Sequence, residues 1–137
     1  NGYFSDITRT FALGKNIDSK LLEAYKAVKS ANESARNVAK VGVKAGDVDS
    51  AARKIIEDAG FGKYFTHRTG HGLGLEIHEE PYIKPSNEFV LQKGMTFTIE
   101  PGIYIPNLGG IRIEDDMYLE TNEALSLTNL SRDLLFL

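Results

Sequence analysis

Along the chain the spacing of apolar positions changes twice. Residues 3 to 13 (YFSDITRTFAL) are rich in aromatic and β-branched types, which predicts a strand. Tyr3, Ser5, Ile7, Arg9 and Phe11 would lie on one face and Phe4, Asp6, Thr8 and Thr10 on the other; Gly14 and Lys15 end the run. From Asp18 to about Val41 apolar residues recur at helical spacing (Leu21, Leu22, Tyr25, Val28, Ala31, Ala35, Val38), with Asp18 or Ser19 as the cap. A second helix is predicted from about Val48 to Ala59, started by Asp47 and stopped by Gly60. Residues 65 to 78 then read as extended chain broken by Gly70, Gly72 and Gly74, and Pro81, Pro85 and residues 86–88 as a loop. TFTIEPGIYI (96–105) and IRIEDDMYLE (111–120) read as two strands joined by the turn-forming PNLGG, with ALSLT (124–128) as a last strand. Strand, two helices and several antiparallel strands make an α+β pattern, two helices covering one face of a curved antiparallel sheet.

Composition narrows the picture. At 137 residues the chain suffices for one domain with a real core. A formal charge of −3 and a pI near 5.6 give no electrostatic grip on nucleic acid or anionic membrane, and no apolar run is long enough to span a bilayer. The absence of cysteine excludes disulfides and thiol nucleophiles and fits a reducing, cytoplasmic setting. The sequence starts on Asn1 within an already β-like run, which suggests a piece of a longer protein.

The candidate chemistry lies in the hairpin and in the segment before it. Reflecting the chain about Asn107 sets Glu100 opposite Glu114, on the face shared with Thr98, Tyr104, Arg112 and Asp116. Phe97, Ile99, Ile103, Ile111, Ile113 and Met117 take the other face, the one expected against the helices. Like charges directly across a strand pair repel, so one carboxylate stays protonated, an arginine such as Arg112 intervenes, or a cation sits between them. Asp6 adds a third carboxylate beside Thr8, whose hydroxyl is placed to orient it. All three histidines, His67, His71 and His78, fall within residues 67–78. Taken singly, each feature has a plainer reading: a solvated strand aspartate, an edge charge pair, surface imidazoles. Together, one imidazole and several carboxylates form a ligand set for manganese, iron, cobalt or zinc in a two-metal hydrolytic centre, too oxygen-rich for a structural zinc site. GHGLG is not followed by a helix as a dinucleotide loop requires, and there is no G-x-S-x-G elbow.

NGYFSDITRTF, HRTGHGLGLEIHEEP and GMTFTIEPGIYIPNLGGIRIEDD, in that order, resemble the proline-specific metallopeptidases of the pita-bread fold, Xaa-Pro dipeptidase and Xaa-Pro aminopeptidase. The resemblance covers essentially the whole chain and implies the C-terminal half of that fold. It implies two divalent metal ions, manganese first, with cobalt, zinc or iron as alternatives. By the same resemblance Asp6 binds both ions, His71 and Glu100 hold one of them, and Glu114 bridges. Glu100 also takes the proton of the attacking water, His78 hydrogen-bonds the substrate near the scissile bond, and His67 lines the proline side of the pocket. Arg112 stands behind the carboxylates. The implied reaction is hydrolysis of an Xaa-Pro bond in dipeptides or at peptide N-termini, in a full-length homodimer whose partner is a proline-containing peptide rather than nucleic acid or membrane. The alternative is a catalytically inactive pita-bread domain that binds peptides or proteins. In the family pattern a further aspartate precedes Asp6 by about ten residues, upstream of Asn1. Residues 1–137 are therefore expected to be one partial catalytic domain that binds metal weakly and hydrolyses little alone.

Overall fold

The computed structural model of the chain describes residues 2–121 and 123–137; Asn1, the first residue of the NGYFSDITRTF motif, lies outside them. Helix α1 (Ser19–Val38) starts where the Asp18 carboxylate accepts the Lys20 N–H at 2.8 Å. It lays Ala24, Val28, Ala31 and Ala35 against the rest of the molecule, small residues that let its neighbours approach closely. Helix α2 (Ala45–Asp58) packs on α1 and ends before Gly60, whose φ of +82° only glycine adopts without strain. It begins earlier than predicted. Lys44 occupies the cap without a side-chain bond, and Asp47 sits inside the first turn, where its charge favours the helix N-terminus.

Five strands form the main sheet in the order β3 (Glu79–Ile83), β2 (Gly70–Gly72), β4 (Thr96–Ile99), β7 (Asp115–Leu119), β8 (Ala124–Ser126), all neighbours antiparallel. β5 (Gly102–Ile105) and β6 (Gly109–Arg112) form a separate antiparallel ribbon. β1 (Phe11–Ala12) pairs in parallel with β9 (Leu135–Phe136), a pairing the alternation did not signal. Phe97, Ile99, Ile103, Ile113 and Met117 are fully buried under the helices, each contributing roughly 1.5–3 kcal/mol by leaving water.

Three expectations need correction. Residues 3–10 make no continuous ladder, because their hydrogen bonds go to scattered partners. The Phe4 N–H donates to the Gly74 carbonyl, the Asp6 N–H to the Asp116 carboxylate, and the Thr8 carbonyl accepts from the Glu114 N–H. Pro81 lies inside β3 rather than in a loop; β3 is a sheet edge, where a missing N–H is tolerated. The long hairpin is split in two. Its register is the expected one, from Thr96↔Tyr118 through to Ile105↔Gly109, but Pro101 has no N–H to give Ile113 across the ladder, and the sheet divides there.

Candidate metal centre

The division of the hairpin places the carboxylates. Beside it, the Glu100 N–H donates to the Thr69 carbonyl at 2.7 Å and the Glu114 N–H to the Thr8 carbonyl at 3.0 Å. Each glutamate is thus tied by its backbone to a segment far away in sequence. The Thr69 segment reaches the hairpin because residue 70 is glycine: a Cβ there would stand 1.9 Å from the Thr98 carbonyl oxygen. That close approach carries His71 in, where its N–H donates to the Thr98 hydroxyl at 3.1 Å.

Asp6, His71 and Glu114 each offer a ligand atom within 4.8 Å of the others, and Glu100 Oε1 lies 3.2 Å from His71 Nε2. His71 Nδ1 is 3.0 Å from the Gly72 carbonyl, which can only accept, so this nitrogen carries the proton. Nε2 therefore presents a lone pair to two carboxylates, Glu100 and, at 3.9 Å, Asp6. Such an arrangement repels unless a proton or a metal ion supplies positive charge. Burial lowers the His71 pKa, but the Glu100 carboxylate and the Gly72 carbonyl outweigh it and raise it. Burial likewise pushes Glu100 up, and His71 more than offsets that, leaving it lowered. Glu114 has no such partner. Burial, reinforced by the charges of Glu100 and Asp6 and only partly offset by the Thr8 hydroxyl and Arg112, pushes it up to about 7. A carboxyl side chain 2% exposed and ringed by acids fits a cation, and a donor set of one imidazole and hard oxygens fits a divalent one.

The surrounding residues brace this group. Thr8 does not orient Asp6, as its place in the sequence suggested; its hydroxyl donates to Glu114 Oε2 at 2.5 Å, because Thr8 bridges Glu114 across the sheet. Asp6 is fixed instead by its own N–H, which donates to Asp116 at 3.0 Å. Arg112 Nε donates to the Thr8 hydroxyl at 3.0 Å and stands 3.9 Å from Glu114. Arg112 also donates to the Tyr104 hydroxyl, which in turn lies 3.1 Å from His67 Nε2. The His78 ring meets the His71 ring edge-on at 4.3 Å and is exposed. His67, Arg68, His78, Lys84, Glu100 and Arg112 line a cleft of about 570 Å³. Tyr104 and Asp116 were legible as members of the glutamate face, since strand alternation puts them there. A second brace carried no such signal: buried Asp49 on α2 pairs with Arg53 at 2.9 Å and accepts from the Thr69 hydroxyl at 2.7 Å. Arg53 in turn donates to the carbonyls of Phe65 and His67.

With this geometry in view, the similarities to known proteins are informative. Residues 1–121 match the model of metallopeptidase family M24. The chain is 51% identical over 135 residues to an Xaa-Pro dipeptidase of Pyrococcus furiosus, covering 98% of itself and 38% of that protein. It is 48% identical over 133 residues to an Xaa-Pro dipeptidase of Lactobacillus delbrueckii, covering 97% of itself and 36% of that protein. The crystal structure of a dipeptidase from Pyrococcus horikoshii superposes with a TM-score of 0.97 at 57% identity, over 99% of this chain and 38% of that one. The chain thus spans little more than a third of the length of these relatives, and its fold is that of the C-terminal half of a pita-bread domain.

Proposed function

The chain belongs to metallopeptidase family M24, and from that premise we propose that its cleft is part of a two-metal centre that hydrolyses Xaa-Pro bonds in dipeptides or at peptide N-termini. The observation that carries the proposal is the convergence of Asp6, His71 and Glu114 within 4.8 Å, with Glu100 beside His71. Relatives named Xaa-Pro dipeptidases, alike over nearly the whole of this chain, support the substrate class. Asp6, His71, Glu100 and Glu114 would hold the divalent ions. When bound, the ions polarise the scissile carbonyl and make water nucleophilic near neutral pH.

The chain's own residues supply the remaining tasks. Glu100, a carboxylate beside His71, would accept the proton of the attacking water. His78, exposed at the cleft mouth beside His71, donates a hydrogen bond to the oxygen on which negative charge develops. His67, tethered through Tyr104 to Arg112, forms the side of the cleft that receives the proline ring. Manganese is the first metal to test. Residues 1–137 are proposed to be one portion of a larger catalytic domain, working in a cytoplasmic homodimer and hydrolysing little by themselves. The test is an assay of the full-length protein on an Xaa-Pro dipeptide, with manganese and after chelation. Activity that is lost on chelation and restored by manganese is the expected result; activity indifferent to chelation would overturn the proposal.

A further inference from the structure

Asn32 is fully buried in the middle of α1, on a face otherwise made of alanine, valine and Tyr25. A polar side chain there is costly unless its hydrogen bonds are made. Its amide nitrogen lies 2.9 Å from Asp115 Oδ2, 3.2 Å from the Ile99 carbonyl and 3.4 Å from the Ile113 carbonyl. Three acceptor oxygens surround this nitrogen, so it is the NH2 group, whose two hydrogens are shared among them. The amide oxygen accepts from Arg36 Nε at 2.8 Å, which fixes the orientation.

The two carbonyls are those that directly precede Glu100 and Glu114. The Ile113 carbonyl is the group left without a ladder donor by Pro101, and the Asn32 amide stands where that donor is missing. The same side chain therefore touches both strands at the point where they divide, and both peptide units it holds lead into a candidate ligand. Glu114 is fixed further by Arg9, which donates to the Glu114 carbonyl at 2.7 Å.

On the metallopeptidase reading, on which this depends, we infer that Asn32 is a positioning residue: it sets the separation of Glu100 and Glu114 and so the geometry of the metal pair. Purely apolar packing of α1 could stabilise the domain equally well, but it could not hold two carbonyls in register across a divided hairpin.

Asn32→Ala in the full-length protein, loaded with cobalt(II), tests this. Val28→Ala is the control, a buried truncation on the same helix at a side chain that can donate no hydrogen bond to either carbonyl. Asn32→Ala is expected to weaken cobalt affinity roughly 10- to 100-fold, the range seen when groups supporting metal ligands are lost. It should also alter the visible absorption of the bound cobalt and lower kcat more than it raises KM. Val28→Ala should lower the melting temperature and leave the cobalt spectrum unchanged. If the alanine variant does not fold, Asn32→Ser, which keeps one donor, is read in the same way and should give a smaller change of the same kind. An Asn32 variant that loses thermal stability yet binds cobalt with wild-type affinity and spectrum overturns the inference alone. A wild-type protein that takes up no cobalt overturns the metallopeptidase reading and the inference together.

Discussion

On the hairpin side of the cleft, Glu114 stands in front of a buried ionic network: Asp115, fully buried, meets Arg9 and Arg132 at 2.7 Å each and Asn32 at 2.9 Å. On the opposite side β2 spans only three residues, and beyond it Leu75, Ile77 and His78 are exposed. The two sides carry different burdens. The hairpin must hold acidic groups against their mutual repulsion, and both backbone groups of Glu114 are bonded to a distant segment, its N–H to Thr8 and its carbonyl to Arg9. The histidine side is tied to the sheet through β2 and held from behind where Asp49 and Arg53 grip residues 65 to 69. Strain against unlike surroundings is thus answered by bracing on one wall, while the other is left open enough to admit a ligand.

The sharpest way to break this contrast is to remove a carboxylate. Glu114→Ala in the full-length protein should lower kcat/KM on an Xaa-Pro dipeptide by at least about a thousandfold, on the order of 4 kcal/mol of barrier. Bound metal, measured by atomic emission, should fall with it. Retained metal and activity would show that Glu114 is not a ligand. Next in size is Asp115→Ala, which strands the buried Arg9 guanidinium and removes the partner of the partly exposed Arg132. Removing one member of a buried ion pair costs about 3–5 kcal/mol, so urea unfolding should show a loss of that order. A loss under 1 kcal/mol would mean that the network is solvated rather than buried.

Acidity separates two neighbouring carboxyls. Burial opposes ionisation of Asp115, but Arg132 and Arg9 outweigh it and hold its pKa below the usual carboxylate range. Its contribution is therefore present above that range and lost as pH falls through the lowered value. Glu114 behaves in the reverse sense. Its pKa is raised from 4.5 to about 7, so the metal-free fold is favoured by protonation. Stability of the chelated protein should fall as pH rises from about 4.5 to about 7, by up to about 3 kcal/mol. Saturating manganese should abolish that slope, and manganese affinity should strengthen as pH rises through 7 because the metal displaces the proton. Parallel pH–stability curves with and without chelator would contradict this assignment.

How much of this could be read in advance follows the same division. The glutamate face was legible because strand alternation and the turn centred on Asn107 fix the register without any tertiary information. Phe97, Ile99, Ile113 and Met117 took the buried face for the same reason. Helix α1 was legible from its spacing and from Asp18. The division of the hairpin was less so. Pro101 announces a missing donor, but nothing local shows that Asn32, 81 residues from Ile113, stands in its place. Nor could spacing tell that Thr8 would hold Glu114 rather than Asp6, since that contact links residues 106 apart. The Asp49–Arg53 pair reads in the sequence as an ordinary i,i+4 surface pair; only burial turns it into a clamp.

On the histidine side the expected effects are smaller. Arg53→Met removes the partner of buried Asp49 and the donors to the Phe65 and His67 carbonyls while keeping much of the contact with the Phe65 ring. Its cost should be about 2 kcal/mol in urea unfolding, below that of Asp115→Ala, because Arg53 is partly solvated and its loss is partly made up by water. A cost equal to that of Asp115→Ala would erase the difference between the two walls.

Tyr104→Phe probes a side-chain link that crosses between them. The hydroxyl lies 3.1 Å from His67 Nε2 and 3.3 Å from Arg112 Nη1, so it joins the histidine segment to the arginine behind Glu114. His67 Nδ1 lies 2.7 Å from the Arg68 carbonyl and must carry the ring proton. The Tyr104 hydroxyl therefore donates to Nε2 and accepts from Arg112. Removing it frees the His67 ring to turn without stranding a buried charge, since Arg112 is half-exposed and keeps its bond to Thr8. The expected loss in stability is about 1 kcal/mol or less. The larger change should be in KM for Xaa-Pro dipeptides, because the ring proposed to face the proline loses its anchor while Glu100, His71 and Glu114 keep theirs. A fall in kcat at unchanged KM, or a loss of bound metal, would show that the two walls are coupled through this hydroxyl more tightly than their separate bracing implies.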